Sequence, residues 1–188
     1  MKVLAFFGEP GVGKSHLVRA ILERLGPQTA TYVLGPFRGQ VHGNVLVLGR
    51  YAPGATFPGS DRLPNAALRH LPEFCRAAAL QFSGMLLEGW KFCRAECFEA
   101  FRQGREARLV VLEDPEARAR CRARQARCRD HHIGAAFSVW RRRVLEERAQ
   151  EFGLERWHPR EAHAKLEEWV GFLGTPLQAD GLGELPAS

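Results

Sequence analysis

Gly8-Glu9-Pro10-Gly11-Val12-Gly13-Lys14-Ser15 is the stretch that decides how this chain folds. It fills every fixed position of the G-x-x-x-x-G-K-[ST] pattern, the spacing of a loop whose backbone wraps an oligophosphate. Val3-Leu4-Ala5-Phe6-Phe7 precedes it, an apolar run that suits a buried strand, and Ser15 to Leu22 follows with the apolar spacing of a helix. Strand, glycine loop and helix in that order aim backbone N–H groups at an anion at the positive end of the helix dipole. The expected lining is Gly8, Glu9, Pro10, Gly11, Val12, Gly13, Lys14, Ser15 and His16. In such a loop the lysine, here Lys14, places a point charge on the β and γ phosphates, and the hydroxyl of Ser15 offers an oxygen to Mg²⁺. ATP and Mg²⁺ are therefore the expected cofactors. A chance glycine turn is the alternative, and it leaves the agreement of the flanking strand and helix unexplained.

Outward from the loop the chain reads as one α/β unit. The first helix stops near Leu25-Gly26-Pro27. Thr31 to Leu34 and Asn44 to Leu48 read as strands separated by Pro36, Gly39 and Gly43, and Tyr51 to Asp61 as a loop rich in Pro and Gly. A helix from Pro72 to about Phe82 leads into Gly84-Met85-Leu86-Leu87-Glu88-Gly89, an apolar strand ending in a carboxylate. Ligands of open α/β sheets sit beyond the carboxyl ends of parallel strands, so Glu88 is a candidate for the Mg²⁺ shell, or else a capping or salt-bridging carboxylate. A helix over Lys91 to Arg102, a strand over Glu106 to Leu112 and an arginine-rich helix after Glu113-Asp114-Pro115-Glu116 come next. Trp157-His158-Pro159 reads as a short strand and turn before a last helix to about Phe172. The chain divides into a single domain, 1–175, and a flexible tail, 176–188.

A length of 188 residues suits one domain with a sizeable core, and a hydrophobic fraction of 45% is ordinary for a soluble protein. There is no signal-peptide pattern and no apolar run of membrane-spanning length, which leads to the expectation of a soluble, cytoplasmic protein with no membrane partner. The five cysteines, an odd number, suit reduced thiols. Cys93 and Cys97 share one helical face and fit either apolar filling or a metal pair. His131-His132 point in different directions on any helix, one to the surface and one to packing or phosphate. The net charge is +6 and overwhelmingly arginine. Arg118, Arg120, Arg122, Arg124, Arg127 and Arg129 crowd one stretch, and Arg141-Arg142-Arg143 follow. Each alone suits a solvated helix face, and the cluster suits neutralising phosphates of a nucleotide or nucleic acid.

These residues resemble P-loop kinases of the nucleoside and nucleotide kinase group over roughly residues 1 to 175. The glycine loop, the acid-ended strand Leu86-Leu87-Glu88-Gly89 and the basic segment after Leu112-Glu113-Asp114-Pro115-Glu116-Ala117-Arg118 carry that likeness. Leu48-Gly49-Arg50-Tyr51 followed by Phe57-Pro58-Gly59-Ser60-Asp61-Arg62-Leu63 resembles more narrowly the G-x-Y…F-S-G-T-D-R-L pattern of bacteriophage kinases that phosphorylate 5-hydroxymethyluracil in DNA. Pro58, Ser60 and Pro64 depart from it. The resemblance implies a P-loop NTPase three-layer α/β fold with a mainly parallel sheet and an arginine-rich lid over about 114–143. It implies ATP as phosphoryl donor and DNA containing a modified pyrimidine as partner, in the host cytoplasm if the chain is phage-encoded. A free nucleoside or monophosphate is the alternative acceptor, and a non-kinase P-loop NTPase the alternative class. Asp61 then reads as the base on the attacking hydroxyl or as a helix cap, Arg62 as its brace or a phosphate contact, and Arg118 and Arg122 as lid arginines clamping the transferring group. Trp157 or His158 would lie near adenine, or Trp157 would pack in the core.

Overall fold

Alternation along the first strand builds the molecule outward in two directions. In the computed structural model, which describes residues 1–51, 59–60, 63–117, 119 and 135–174 (backbone only for 135–138), β1 (Lys2–Phe7) sends Val3, Ala5 and Phe7 into one buried cluster and Leu4 and Phe6 into another. Successive side chains of a strand leave opposite faces, so a strand apolar on both belongs in the middle of a sheet covered on both sides. β1 runs parallel to β5 (Gly84–Glu88) on one flank and to β6 (Ala107–Leu112) on the other. With β2 at Ala30–Leu34, β3 at Phe37–His42, β4 at Val45–Leu48 and β7 at Glu155–Trp157, the described residues form a seven-stranded sheet. Its order is β2-β3-β4-β5-β1-β6-β7. The pairs from β4 through β7 are parallel, and β2-β3-β4 is an antiparallel meander at one edge. The fold is mixed α/β with an open, largely parallel central sheet.

Helices cover both faces. On the Leu4 and Phe6 face lie α1 (Lys14–Leu25), through Leu17, Val18 and Ile21, and α6 (Leu166–Gly174), through Leu166, Trp169 and Leu173, with α5 (Pro159–Ala164) beside them. On the Val3 and Phe7 face lie α2 (Leu71–Ala79), α3 (Ala95–Arg102) and α4 (Ala135–Glu151), through Phe74 and Cys75, Phe98 and Phe101, and Leu145 and Ala149. Phe98 stands edge-on to Phe7 at 5.1 Å. Each such buried apolar side chain contributes roughly 1.5–3 kcal/mol. At the β6–β7 edge Arg108 donates from Nε and Nη2 to the Glu155 carboxylate at 2.7 Å each and from Nη1 to Glu168 at 2.5 Å, with its guanidinium 4.2 Å from the Trp169 ring centre.

Several elements differ from their sequence-based outline. Phe37–His42 is a strand where Pro36, Gly39 and Gly43 read as breaks. Gly35-Pro36 and Gly43-Asn44 are two-residue hairpin turns, and Gly39 lies inside the strand, where a Cβ would stand 2.7 Å from the Val47 carbonyl oxygen. The stretch ahead of Pro72 is a 3₁₀ helix over Asn65–His70, the segment after Glu88 is a 3₁₀ turn over Trp90–Phe92 before α3, and the last helix is two, broken at Lys165. α4 begins inside the expected lid range and runs on to Glu151. Among the described residues no helix is long and apolar enough to cross a membrane. Cys121, Cys128, His131-His132 and the tail 176–188 lie outside the described residues.

Candidate functional site

Because β4, β5, β1, β6 and β7 all run the same way, their carboxyl ends line one edge of the sheet. The chain leaves β1, reaches β4, returns to β5 beside β1 and then crosses β1 to β6. That reversal opens a crevice beyond the end of β1, and Gly8–Ser15 occupies it. Gly8 has φ +142°, and a Cβ there would lie 2.5 Å from the Leu112 carbonyl oxygen at the end of β6, so only glycine lets the loop pass. Gly13, at φ 101° and ψ 7°, is the left-handed residue at which α1 starts. Val12 is buried and anchors the loop. The first turn of α1 carries no acidic residue, and Lys14 folds back so that Nζ donates to the carbonyls of Gly8 and Glu9 at 3.0 Å each. A helix N-terminus with a lysine at its mouth can receive an anion. Ser15 and His16 lie on its first turn.

Glu88 ends β5 directly beside this loop, in register with Phe6. Phe6 and Leu86 face α1, so the alternation puts the Glu88 carboxylate on that same face. It is 4% exposed. Ser60 Oγ donates to the Glu88 carbonyl at 2.5 Å, and a Cβ on Gly59 would lie 3.0 Å from both Glu88 Oε1 and the Tyr51 hydroxyl. Gly59 also exchanges two backbone bonds with Arg50, at 2.9 and 3.3 Å, and Lys91 Nζ donates to the Leu63 carbonyl at 2.5 Å. Gly59, Ser60 and Leu63 are thus fastened around the exit of β5. Asp61 and Arg62, between them, lie outside the described residues, as do Ala52 to Pro58.

The opposite wall is a cleft of about 510 Å³ lined by Gly11, Gly13, His16, Asp114, His158 and Arg160, among others. Asp114 Oδ1 accepts from the Glu116 N–H at 2.7 Å, and its Oδ2 lies 3.7 Å from His158 Nε2. His158 caps α5, its Nδ1 accepting from the Arg160 N–H while Glu161 accepts from the His158 N–H. Trp157 turns away, edge-on to Trp169 with its Nε1 donating to Glu155, so of the two residues read near adenine only His158 lines the cleft.

α4 reaches the same edge. Arg142 Nε lies 3.3 Å from Glu9 Oε1, tying the helix to the glycine loop. Arg141 lies 5.2 Å from the Trp90 ring centre and Trp140 5.9 Å from it. Arg118 and Arg122 lie outside the described residues. Trp90, Trp140 and Arg160 were not singled out from the sequence, whereas Tyr51 and Asp114 were named only within the segments that carry the kinase likeness, Asp114 also as a helix-start acid. Their shared signal is position, since each follows a strand's carboxyl end or lies on a helix that packs over one.

Cys75, Cys93 and Cys97 are buried thiols within the core, and burial pushes each up to about 12. Among the described residues no group of three or more His, Cys, Asp or Glu could hold a metal ion. Ser15 and Glu88 fit a different demand: Mg²⁺ takes hard oxygen donors, and one or two from protein suffice when phosphates and waters complete the shell. A hydroxyl at the helix start and a buried carboxylate on the same sheet face are such donors. Comparison with family models, curated proteins and solved structures finds no match to this chain.

Proposed function

We propose that the chain is an ATP-dependent kinase of the P-loop NTPase fold that transfers the γ-phosphate to a hydroxyl, the hydroxymethyl group of 5-hydroxymethyluracil in phage DNA. One observation carries the reading: a complete G-x-x-x-x-G-K-S sequence runs from the end of the central strand into the first residues of α1, at the carboxyl edge of the sheet where strand order reverses. In this reading the α1 amides hold the β and γ phosphates, and Lys14 exchanges its two carbonyl contacts for phosphate oxygens. Ser15 and Glu88 would hold Mg²⁺, which neutralises phosphate charge when bound. The acceptor oxygen attacks the γ phosphorus, the bond to the β–γ bridging oxygen breaks, ADP departs, and Asp61 takes the hydroxyl proton. Arg62, Arg118 and Arg122 balance charge on the transferring group, and about 114–143 serves as the lid.

The acceptor rests on the likeness of Phe57 to Leu63 to phage kinases and on the +6 charge. The test supplies γ-labelled ATP with DNA containing 5-hydroxymethyluracil, and separately with the matching nucleoside and monophosphate. Label in DNA that falls with added salt is the expected result. Label only in the free nucleoside or monophosphate moves the acceptor to that class, and ATP turnover without any acceptor moves the chain to the non-kinase NTPases.

A further inference from the structure

The turn after β5 and the first half of α4 meet in an aromatic and basic surface at the end of the proposed lid range, to which the phosphoryl-transfer step above assigns no residue. Trp140 stands at 67° to Trp90 with ring centres 5.9 Å apart, Arg141 lies against the same Trp90 ring, and Arg142 is held on Glu9. Trp90 follows Glu88 by two residues and Glu9 follows Gly8 by one, so this surface borders the glycine loop on the side of the β5 exit. Although Trp90 supports it from one side, Trp140 is 51% exposed, and Val139 beside it is 58% exposed. A large flat side chain left half in water beside arginines is what a stacking platform requires.

We propose that Trp140 stacks an unpaired base of a single-stranded DNA segment whose neighbouring phosphate meets Arg143; this rests on the DNA-acceptor reading above. Three features favour that occupant. The faces of bases in an intact duplex are covered by their neighbours, so a stacking side chain selects an unstacked base. Residues three apart on a helix share a face, so Arg143, its side chain 79% exposed and paired along the helix surface with Glu147, stands beside Trp140 and can meet the phosphate next to a stacked base. Neighbouring arginines repel a basic protein surface and attract a polyanion.

Anisotropy of a labelled thymidine 12-mer, a matching duplex and competing thymidine monophosphate, read at several salt concentrations, tests the proposal. Trp140→Ala is expected to weaken single-strand binding about 5- to 150-fold, the range of base–aromatic stacking. Trp140→Phe is expected to recover most of the loss with an unchanged salt slope. Trp140→Leu keeps apolar volume against Trp90 without the flat ring, and serves if the alanine variant fails to fold; it should behave as the alanine variant. Unchanged affinity in Trp140→Leu, tighter binding of duplex than of single strand, or equal competition by the monophosphate would each overturn the proposal. A fluorescent ATP analogue on the same samples separates the two readings: Trp140-dependent DNA binding in a chain that does not bind ATP supports the stacking surface and removes the kinase.

Discussion

Two basic side chains stand on the same face of this sheet and are held in opposite ways. Arg108 is gripped by a bidentate carboxylate, a second carboxylate and an indole ring, and hydrogen bonding to Glu155 and then to Glu168 raises its pKa above the ordinary guanidinium value. Lys14 donates to two backbone carbonyls of its own loop, at 3.0 Å each. A hydrogen bond from ammonium to carbonyl is readily exchanged for one to an anionic oxygen, whereas a bidentate arginine pair resists exchange. Arg108 joins β6, β7 and α6, far along the chain from one another, and its contacts hold the fold. Lys14 sits where strand order reverses, and its two carbonyl bonds are the ones that the proposed function exchanges for phosphate oxygens.

The sharpest way to break that contrast is to remove Lys14. Lys14→Ala should cut phosphoryl transfer about a thousandfold, the scale of losing a group aimed at developing charge, with circular dichroism and melting temperature nearly unchanged. A folded variant with near-normal turnover would make Lys14 a structural residue like Arg108. Asp61→Asn should follow with a loss of about a hundredfold or more in kcat and little change in ATP affinity. If the rate holds while the chain melts earlier, Asp61 is a helix cap, and Glu88 is the next carboxylate to replace.

The contrast also explains what was legible in the sequence. Everything local to Lys14 was: the strand, the glycines and the helix are contiguous, and each step follows from spacing and backbone sterics. Glu88 was legible as well, because an apolar strand ending in an acid is a local pattern and its placement beside β1 follows from the sheet. The Arg108 cluster was not, since Glu155 and Glu168 are separated from it by 47 and 60 residues and nothing nearby marks them as partners. β3 was missed for a related reason: Gly39 looks like a break until Val47 is seen to pass 2.7 Å from where a side chain would begin. Trp140 was equally hidden, and Arg142 was legible only as part of a basic run, for it is the packing of α4 that brings them to Trp90 and Glu9.

Removing Arg108 tests the other half of the contrast. Arg108→Ala should leave turnover within about threefold and cost about 2 kcal/mol of stability, typical for hydrogen bonds to charged groups, which lowers Tm by roughly 4–8 °C in a chain of this size. The effect should depend on pH. Hydrogen bonding from Arg108 holds the Glu155 carboxyl below its ordinary value of 4.5, so its stabilisation is complete above that value and is lost as pH falls through the depressed folded one. Melting followed from pH 7 to pH 3 should show the wild type losing this contribution in acid and the variant, which lacks it, declining less. Parallel curves would mean that Arg108 serves through its packing on Trp169 alone.

The smallest effect lies where the two kinds of contact meet, at Glu9 and Arg142. Glu9 puts a negative charge one residue beyond Gly8, at the mouth of a loop proposed to take an anion, and Arg142 at 3.3 Å offsets it. The Glu9 side chain is 11% exposed and that of Arg142 47%, so the pair is partly screened and its coupling should be about 0.5–1 kcal/mol. Arg142→Gln should therefore weaken ATP binding about threefold by uncovering the Glu9 charge, Glu9→Gln should leave it level or slightly tighter, and the double variant should return near the wild type. Titration of a fluorescent ATP analogue into the four chains reads the cycle directly. A double variant as weak as Arg142→Gln alone would show that Arg142 acts on the nucleotide itself, which would place α4 with Lys14 among the exchanging contacts and leave Arg108 as the sole holding one of the three.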